Sequence, residues 1–292
     1  MTESAPTNTG YSNTGYMDTG YTNTVLTETR GPVLIVSINR PEARNAVDRP
    51  TADRLFEVFQ AFDQDDSLSV AVLTGTNGTF CAGADLKAVS AGRGNRVTPE
   101  RADTIAGSPG PVGPTRLLLD KPVIAAVEGH AVAGGLELAV WCDLRVAATD
   151  AVFGVYCRRW GVPLVDGGTV RLTRLIGQSH ANDLILTGRG VSGAEAATMG
   201  LANRLVDSGA TLDAAIEMAT ELARFPQRCL RSDRRSSYEQ WGMSLPEALA
   251  NETALGRAVI QSGETWEGAT RFAEGHGRHG SFDDLGQPSV AG

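Results

Sequence analysis

Residues 121–147 read KPVIAAVEGHAVAGGLELAVWCDLRVA. PVIAAV is a short run of apolar and β-branched residues, the pattern of a buried strand. Ala133, Gly134 and Gly135 then form a turn of small residues. LELAVW after it has the pattern of a short buried helix carrying one acid, Glu137, and LRVAA (144–148) returns to strand character. Strand, glycine turn, helix and strand within one short stretch predict an α/β fold.

The same alternation extends outward on both sides. PVLIVSIN (32–39) and SVAVLTG (69–75) read as strands. Between them Leu55, Phe56, Phe59 and Phe62 recur at helical spacing. AVFGV (151–155) is a further strand candidate. After Gly167 the pattern is helical almost to the end, apart from a possible strand at 201–206. Residues 91–115, rich in Gly, Pro and Arg, read as a mobile surface loop. Residues 1–30 repeat TGY at 9–11, 14–16 and 19–21 and hold little apolar surface. They are expected to be a disordered tail, because so little burial cannot offset the entropy of ordering. The tyrosines are either a partner site or part of an inert extension.

Composition narrows the function. The 292 residues carry a formal net charge of −8, which argues against general nucleic-acid binding, a task that needs a basic face. An anionic small ligand stays possible, because a few local arginines suffice. Cys81, Cys142, Cys157 and Cys229 show neither CxxC spacing nor metal-ligand spacing with the four histidines. They read as reduced thiols of a cytoplasmic protein. No bound metal is expected. Glu128, Glu137 and Asp143 interrupt the most apolar stretch, so no membrane insertion is expected either.

Two turns share one design. In FCAGADLKAV (80–89), Ala82, Gly83 and Ala84 precede a helix start with Asp85 in its first turn; in GHAVAGGLELAV (129–140), Ala133, Gly134 and Gly135 do the same. Small residues let a ligand approach the backbone, and free N–H groups at a helix start attract negative charge. Each turn alone is equally a packing solution. Together they can hold one oxyanion between them.

These segments, in this order, resemble the crotonase superfamily, the enoyl-CoA hydratase/isomerase family. NRPEARNA (39–46), TGTNGTFCAGADL (74–86), residues 121–147, DGGTVRLTRLIG (166–177) and LTGRGVSGAEAATMGLANRLV (186–206) carry the resemblance, which spans roughly 31–280. It implies a crotonase-like spiral of ββα units over 31–225 and a C-terminal helical trimerisation region over 226–292. It also implies a homotrimer or homohexamer, an acyl-CoA thioester as ligand, and no cofactor beyond the coenzyme A of the substrate. By position, Ala84 and Gly134 supply the two oxyanion-hole amides. Contacts to CoA and substrate fall on Arg44, Ala82, Gly83, Asp85, Leu86, Lys87, Gly135 and Arg158, with Lys87 alternatively a solvated helix residue.

Hydratases of this family use two glutamates around one water, because one group must accept a proton while the other donates. Glu137 occupies the first position; its alternative is a structural ion pair. The second position falls on Cys157, in FGVYCRRWGVPLVDGG (153–168). Cys157 is either a proton donor or nucleophile with its pKa lowered by Arg158 and Arg159, or a small apolar residue in a site that works with Glu137 alone. A third possibility is that Asp166 replaces the missing acid. If the segment is strand-like, Arg158 and Arg159 point to opposite sides, toward an acyl carboxylate, Asp166 or a subunit contact. Asp143 is expected to anchor the end of the Glu137 helix or to lend polarity to the pocket, and His130 to be a packing residue. The default reaction is hydration of a 2-enoyl-CoA. Isomerisation, decarboxylation, thioester hydrolysis and binding without turnover are the alternatives.

Overall fold

The structure, a computed structural model, describes residues 23–98 and 101–277. The first strand, β1 (Val25–Arg30), lies inside the expected tail. It pairs antiparallel with β2 (Val33–Ile38), from Val25 opposite Ile38 to Arg30 opposite Val33. The ordered chain therefore begins before residue 25 rather than at Gly31. VLTETR escaped the apolar pattern because it is an edge strand: Val25 is buried and the other five residues are exposed. The TGY repeats lie outside the described residues.

β2 opens a row of parallel strands: β3 (Val70–Gly75), β4 (Val123–Val127), β6 (Leu144–Ala148) and β9 (Arg204–Val206). A second sheet joins β5 (His130–Val132), β7 (Val152–Gly154) and β8 (Gly190–Ser192). One main-chain bridge, Cys81 to Ala131, ties the turn after β3 to β5. That bridge brings the two glycine turns to the same place.

The main core lies on one face of the six-stranded sheet. There α1 (Arg49–Gln64) buries Leu55, Phe59 and Phe62, each contributing about 1.5–3 kcal/mol of burial. Asp48 caps the start of α1 by accepting from the Thr51 amide at 3.1 Å. Buried Lys121 closes its end, with Nζ donating to the carbonyls of Phe62 and Asp65 at 2.9 and 2.6 Å. On the opposite face, α6 (Thr211–Arg224) lays Ala215, Ala219 and Ala223 against Val70, Val72 and Ile124. An alanine row at i, i+4 and i+8 allows close helix–sheet approach.

The remaining helices are α2 (Leu86–Ser90), α3 (Gly134–Trp141), α4 (Gly168–Thr187), α5 (Gly193–Thr198), α7 (Gln227–Glu239), α8 (Leu245–Gln261) and α9 (Glu264–Glu274). α4 is broken at Gly177, whose φ of 73° leaves helical geometry. The expected surface loop 91–115 is partly interior. Residues 110–115 are buried, with Pro114–Arg116 in a 3-10 turn, and Asn95 Nδ2 ties the loop to the carbonyls of Val47 and Pro111. Among the described residues no helix is long and apolar enough to cross a membrane.

Candidate active site

The two turns meet. A Cβ built on Gly83 would stand 2.8 Å from the Gly134 nitrogen, and one built on Gly134 would stand 3.4 Å from the Ala84 nitrogen. Gly83 itself has φ of 94°, a conformation glycine adopts freely. The Gly83 carbonyl accepts from Val47 and the Asp85 amide donates to Val47. The Ala84 amide between them has no acceptor among the described residues. The Gly134 amide, first in α3, has no acceptor there either, as expected of a helix N-terminus. Two neighbouring free N–H groups are what one oxyanion requires.

One turn into α3, Glu137 is 2% exposed. Its Oε1 accepts from the amides of Asp166 and Gly168 at 2.8 and 2.9 Å. Oε2 has no hydrogen-bond partner among the described residues, and Glu137 lines a cavity of about 610 Å³ shared with Ala84 and Gly134. Burial, and then the nearby Asp166 carboxylate, push the pKa of Glu137 up to about 7; the two amides and Arg171 pull the other way. The turn at 166–168 is shaped for this carboxylate. A Cβ on Gly168 would lie 2.8 Å from Glu137 Cγ, closer than real side chains pack.

Cys157 lines the same cavity, 6% exposed. It sits not on a strand but on a 3-10 turn, Tyr156–Trp160. Burial, and then the charge of Glu137, raise its thiol pKa, against a smaller opposing effect of Arg158. Of the readings open for Cys157, a thiol with a lowered pKa is not supported: Arg158 pulls downward, but desolvation and a neighbouring carboxylate outweigh it.

Asp166 also reaches the cavity wall, 2% exposed. Its Oδ1 accepts from the Val112 amide at 3.0 Å and from Thr115 Oγ1 at 2.5 Å, and burial raises its pKa. The carboxyl is held by the loop opposite and makes no ion pair with Arg158 or Arg159.

Of the residues expected to contact substrate, Arg44, Ala82, Ala84, Leu86 and Gly134 line the cavity. Gly83 supports it from behind. Gly135 packs against Cys81, where a Cβ would stand 2.1 Å from the carbonyl oxygen. Asp85 caps α2, accepting from the Lys87 and Ala88 amides, and pairs with Arg40 at 2.9 Å. Lys87 is exposed and lies outside the cavity wall. Arg158 turns away, its Nε donating to the Ile185 carbonyl at 3.0 Å. Arg159 takes the place expected of it, stacked 4.1 Å from the Tyr156 ring and lining the cavity. The difference arises because a 3-10 turn, unlike a strand, does not alternate its side chains.

His130 is exposed at the cavity wall rather than packed. Asp143 accepts from the Val123 amide, Arg234 and Tyr238, which joins α7 to the strand region behind α3. Trp160, Tyr156 and Asn95 also line the site. No sequence signal singled out Asn95, which became visible only where its loop met Val47. Among the described residues there is no cluster of His, Cys, Asp and Glu suited to a metal ion.

Residues 28–282 match the family model for enoyl-CoA hydratase/isomerase. A Mycobacterium tuberculosis protein named enoyl-CoA hydratase EchA19 is 38% identical over 253 residues, covering 85% of this chain and 93% of its own. An Aspergillus fumigatus protein named mevalonyl-coenzyme A hydratase is 34% identical over 244 residues, covering 83% and 88%. The crystal structure of enoyl-CoA hydratase EchA1 from Mycobacterium marinum superposes with a TM-score of 0.79 at 37% identity, over 86% of this chain and 96% of that one.

Proposed function

This chain belongs to the enoyl-CoA hydratase/isomerase family of the crotonase superfamily and is an acyl-CoA-processing hydratase; we propose that it works with Glu137 as its single acid–base group. The observation that carries this reading is the shared cavity. It holds the Glu137 carboxylate, one oxygen of which has no hydrogen-bond partner among the described residues, beside two free amides, those of Ala84 and Gly134.

The thioester oxygen of a 2-enoyl-CoA accepts from both amides. Glu137 Oε2 accepts a proton from a water whose oxygen bonds to Cβ. The π pair of the double bond moves onto the thioester oxygen as an enolate, which the two N–H groups stabilise. Glu137 then returns the proton to Cα, giving the 3-hydroxyacyl-CoA. A pKa near 7 suits a group that must both accept and donate near neutral pH. Fixing Oε1 on two amides leaves only Oε2 to move the proton. Cys157 serves as a small apolar wall, and Asp166 as a positioning residue whose amide holds Glu137. The thioester supplies the electron sink, so this route draws on no cofactor beyond the CoA of the substrate.

Isomerisation of a 3-enoyl-CoA needs the same single carboxylate, and the absence of a second acid at Cys157 favours it as the alternative. Arg44, Ala82 and Leu86 lie on the side of the cavity assigned to CoA. Leu245, Trp266 and Phe272 on α8 and α9 are strongly exposed, which supports assembly into a homotrimer or homohexamer. The test is loss of the enoyl thioester absorbance of crotonyl-CoA. Turnover by wild type and none by Glu137→Gln, with acyl-CoA binding retained, is expected. Turnover undiminished in Glu137→Gln would refute the assignment.

A further inference from the structure

Behind the turn that holds Glu137 lies a second cavity, of about 490 Å³. Val165 and Asp166 line both cavities, which therefore adjoin along this segment. The second cavity is unusually cationic for a protein of net charge −8: Arg116, Arg171, Arg174 and Arg234 all face it. Among the described residues only Arg234 has an ion-paired carboxylate, Asp143, at 2.7 Å, and Tyr238 donates to the same oxygen. Asp166, the other acid present, makes no ion pair with any of these arginines.

Arg171 is anchored by two carbonyls, those of Asp166 and Thr115, at 3.0 and 2.7 Å. Arg174 stacks on Trp241 at 4.8 Å, and Arg116 donates to the Pro109 carbonyl at 3.4 Å. Four guanidinium groups against the two carboxylates Asp143 and Asp166 leave the cavity wall net positive, and their fork geometry matches a further carboxylate.

The cavity is also within reach of the reaction. A Cβ on Gly167 would stand 2.3 Å from Arg171 Nη1, while one on Gly168 would stand 2.9 Å from Glu137 Oε1. The guanidinium and the catalytic carboxylate thus flank one peptide unit, whose Cα atoms lie about 3.8 Å apart. Leu117, Val140 and Leu175 line the same cavity and offer apolar surface to methylene groups.

We infer that this second cavity receives the far end of the acyl group, with Arg116 and Arg174 reading a terminal carboxylate, so that the favoured substrates are enoyl thioesters of dicarboxylic acids. The inference deepens the hydratase reading and rests on it for the position of the thioester. Its test does not need turnover.

Calorimetric titration with adipoyl-CoA and hexanoyl-CoA compares two ligands that differ by one terminal carboxylate. Wild type is expected to bind adipoyl-CoA about tenfold more tightly or better, the scale of hydrogen bonds to a charged group. The Arg116→Gln/Arg174→Gln variant is expected to lose that preference while keeping its affinity for hexanoyl-CoA, which also reports that it has folded. Preference for hexanoyl-CoA by wild type, or a preference that survives both substitutions, would overturn the inference. So would free adipate binding as tightly as adipoyl-CoA, because the cavity would then be a separate anion site. Crotonyl-CoA turnover, measured alongside, reports independently on the hydratase reading.

Discussion

The two walls of the catalytic cavity are built differently. On the α3 side, Glu137 is fixed by two amides, and two glycines of the facing turn leave room for its carboxylate and for Arg171. On the other side, Cys157 rides a short 3-10 turn whose neighbouring arginines are held by carbonyls at 185 and 188 and by the Tyr156 ring. The first wall concentrates its polar contacts on one carboxylate oxygen, Oε1, and leaves the other without a partner among the described residues. The second offers a buried thiol with its pKa raised, a poor acid–base group at neutral pH. On the proposed function, the α3 wall carries the proton transfer and the other wall is left to shape the acyl pocket.

The sharpest way to break this contrast is Glu137→Gln. The amide side chain keeps an oxygen for the Asp166 and Gly168 amides but cannot take a proton, so kcat should fall about 10³-fold or more, within the range of general acid–base catalysis. Acyl-CoA affinity measured by calorimetry should change little.

Titration comes next in size. Acting first as a base, Glu137 must be ionised, so kcat/KM should fall about tenfold per pH unit below about 7. Stability has the opposite sign. The folded protein binds this proton more tightly than the unfolded chain, whose ordinary value is 4.5. The stabilisation is complete below that value and is lost as pH rises through about 7, a difference on the order of 3 kcal/mol. Denaturant melts from pH 4 to 9 should show that loss in wild type, and a flatter profile in Glu137→Gln.

Gly168→Ala probes the support rather than the group. Its Cβ would press on Glu137 Cγ and Oε1, and a displacement on the order of 1 Å can lower the rate about 10²-fold. KM should hold while kcat falls. On the CoA side, Arg44→Ala should raise KM for crotonyl-CoA about tenfold, whereas Lys87→Ala, exposed and off the wall, should change it less than about twofold.

The sequence made one wall far easier to read than the other. The glycine turns and the lone acid in LELAV stand out against an apolar background, the family resemblance singled out Ala84, Gly134 and Glu137 within them, and the structure brings the three together. Cys157 was also placed, but the backbone under it was not. YCRRW has no periodicity that separates a strand from a single 3-10 turn, so the directions of Arg158 and Arg159 were exchanged. β1 was missed for a related reason, since an edge strand with one buried residue carries almost no apolar signal. The second cavity was invisible in the sequence, because its arginines come from segments 55 and 60 residues apart. Arg116, Arg174 and Arg234 meet only when α4 and α7 pack against the loop before β4.

The central claim is that one carboxylate suffices. Its most direct test follows the enoyl thioester absorbance of crotonyl-CoA with wild type, Cys157→Ala and Glu137→Gln at pH 8. Wild type and Cys157→Ala should hydrate at rates within about threefold of one another, with Glu137→Gln slower by about 10³ or more. A Cys157→Ala enzyme as inert as Glu137→Gln, yet still folded and binding acyl-CoA, would make the thiol a partner in proton transfer and contradict the account.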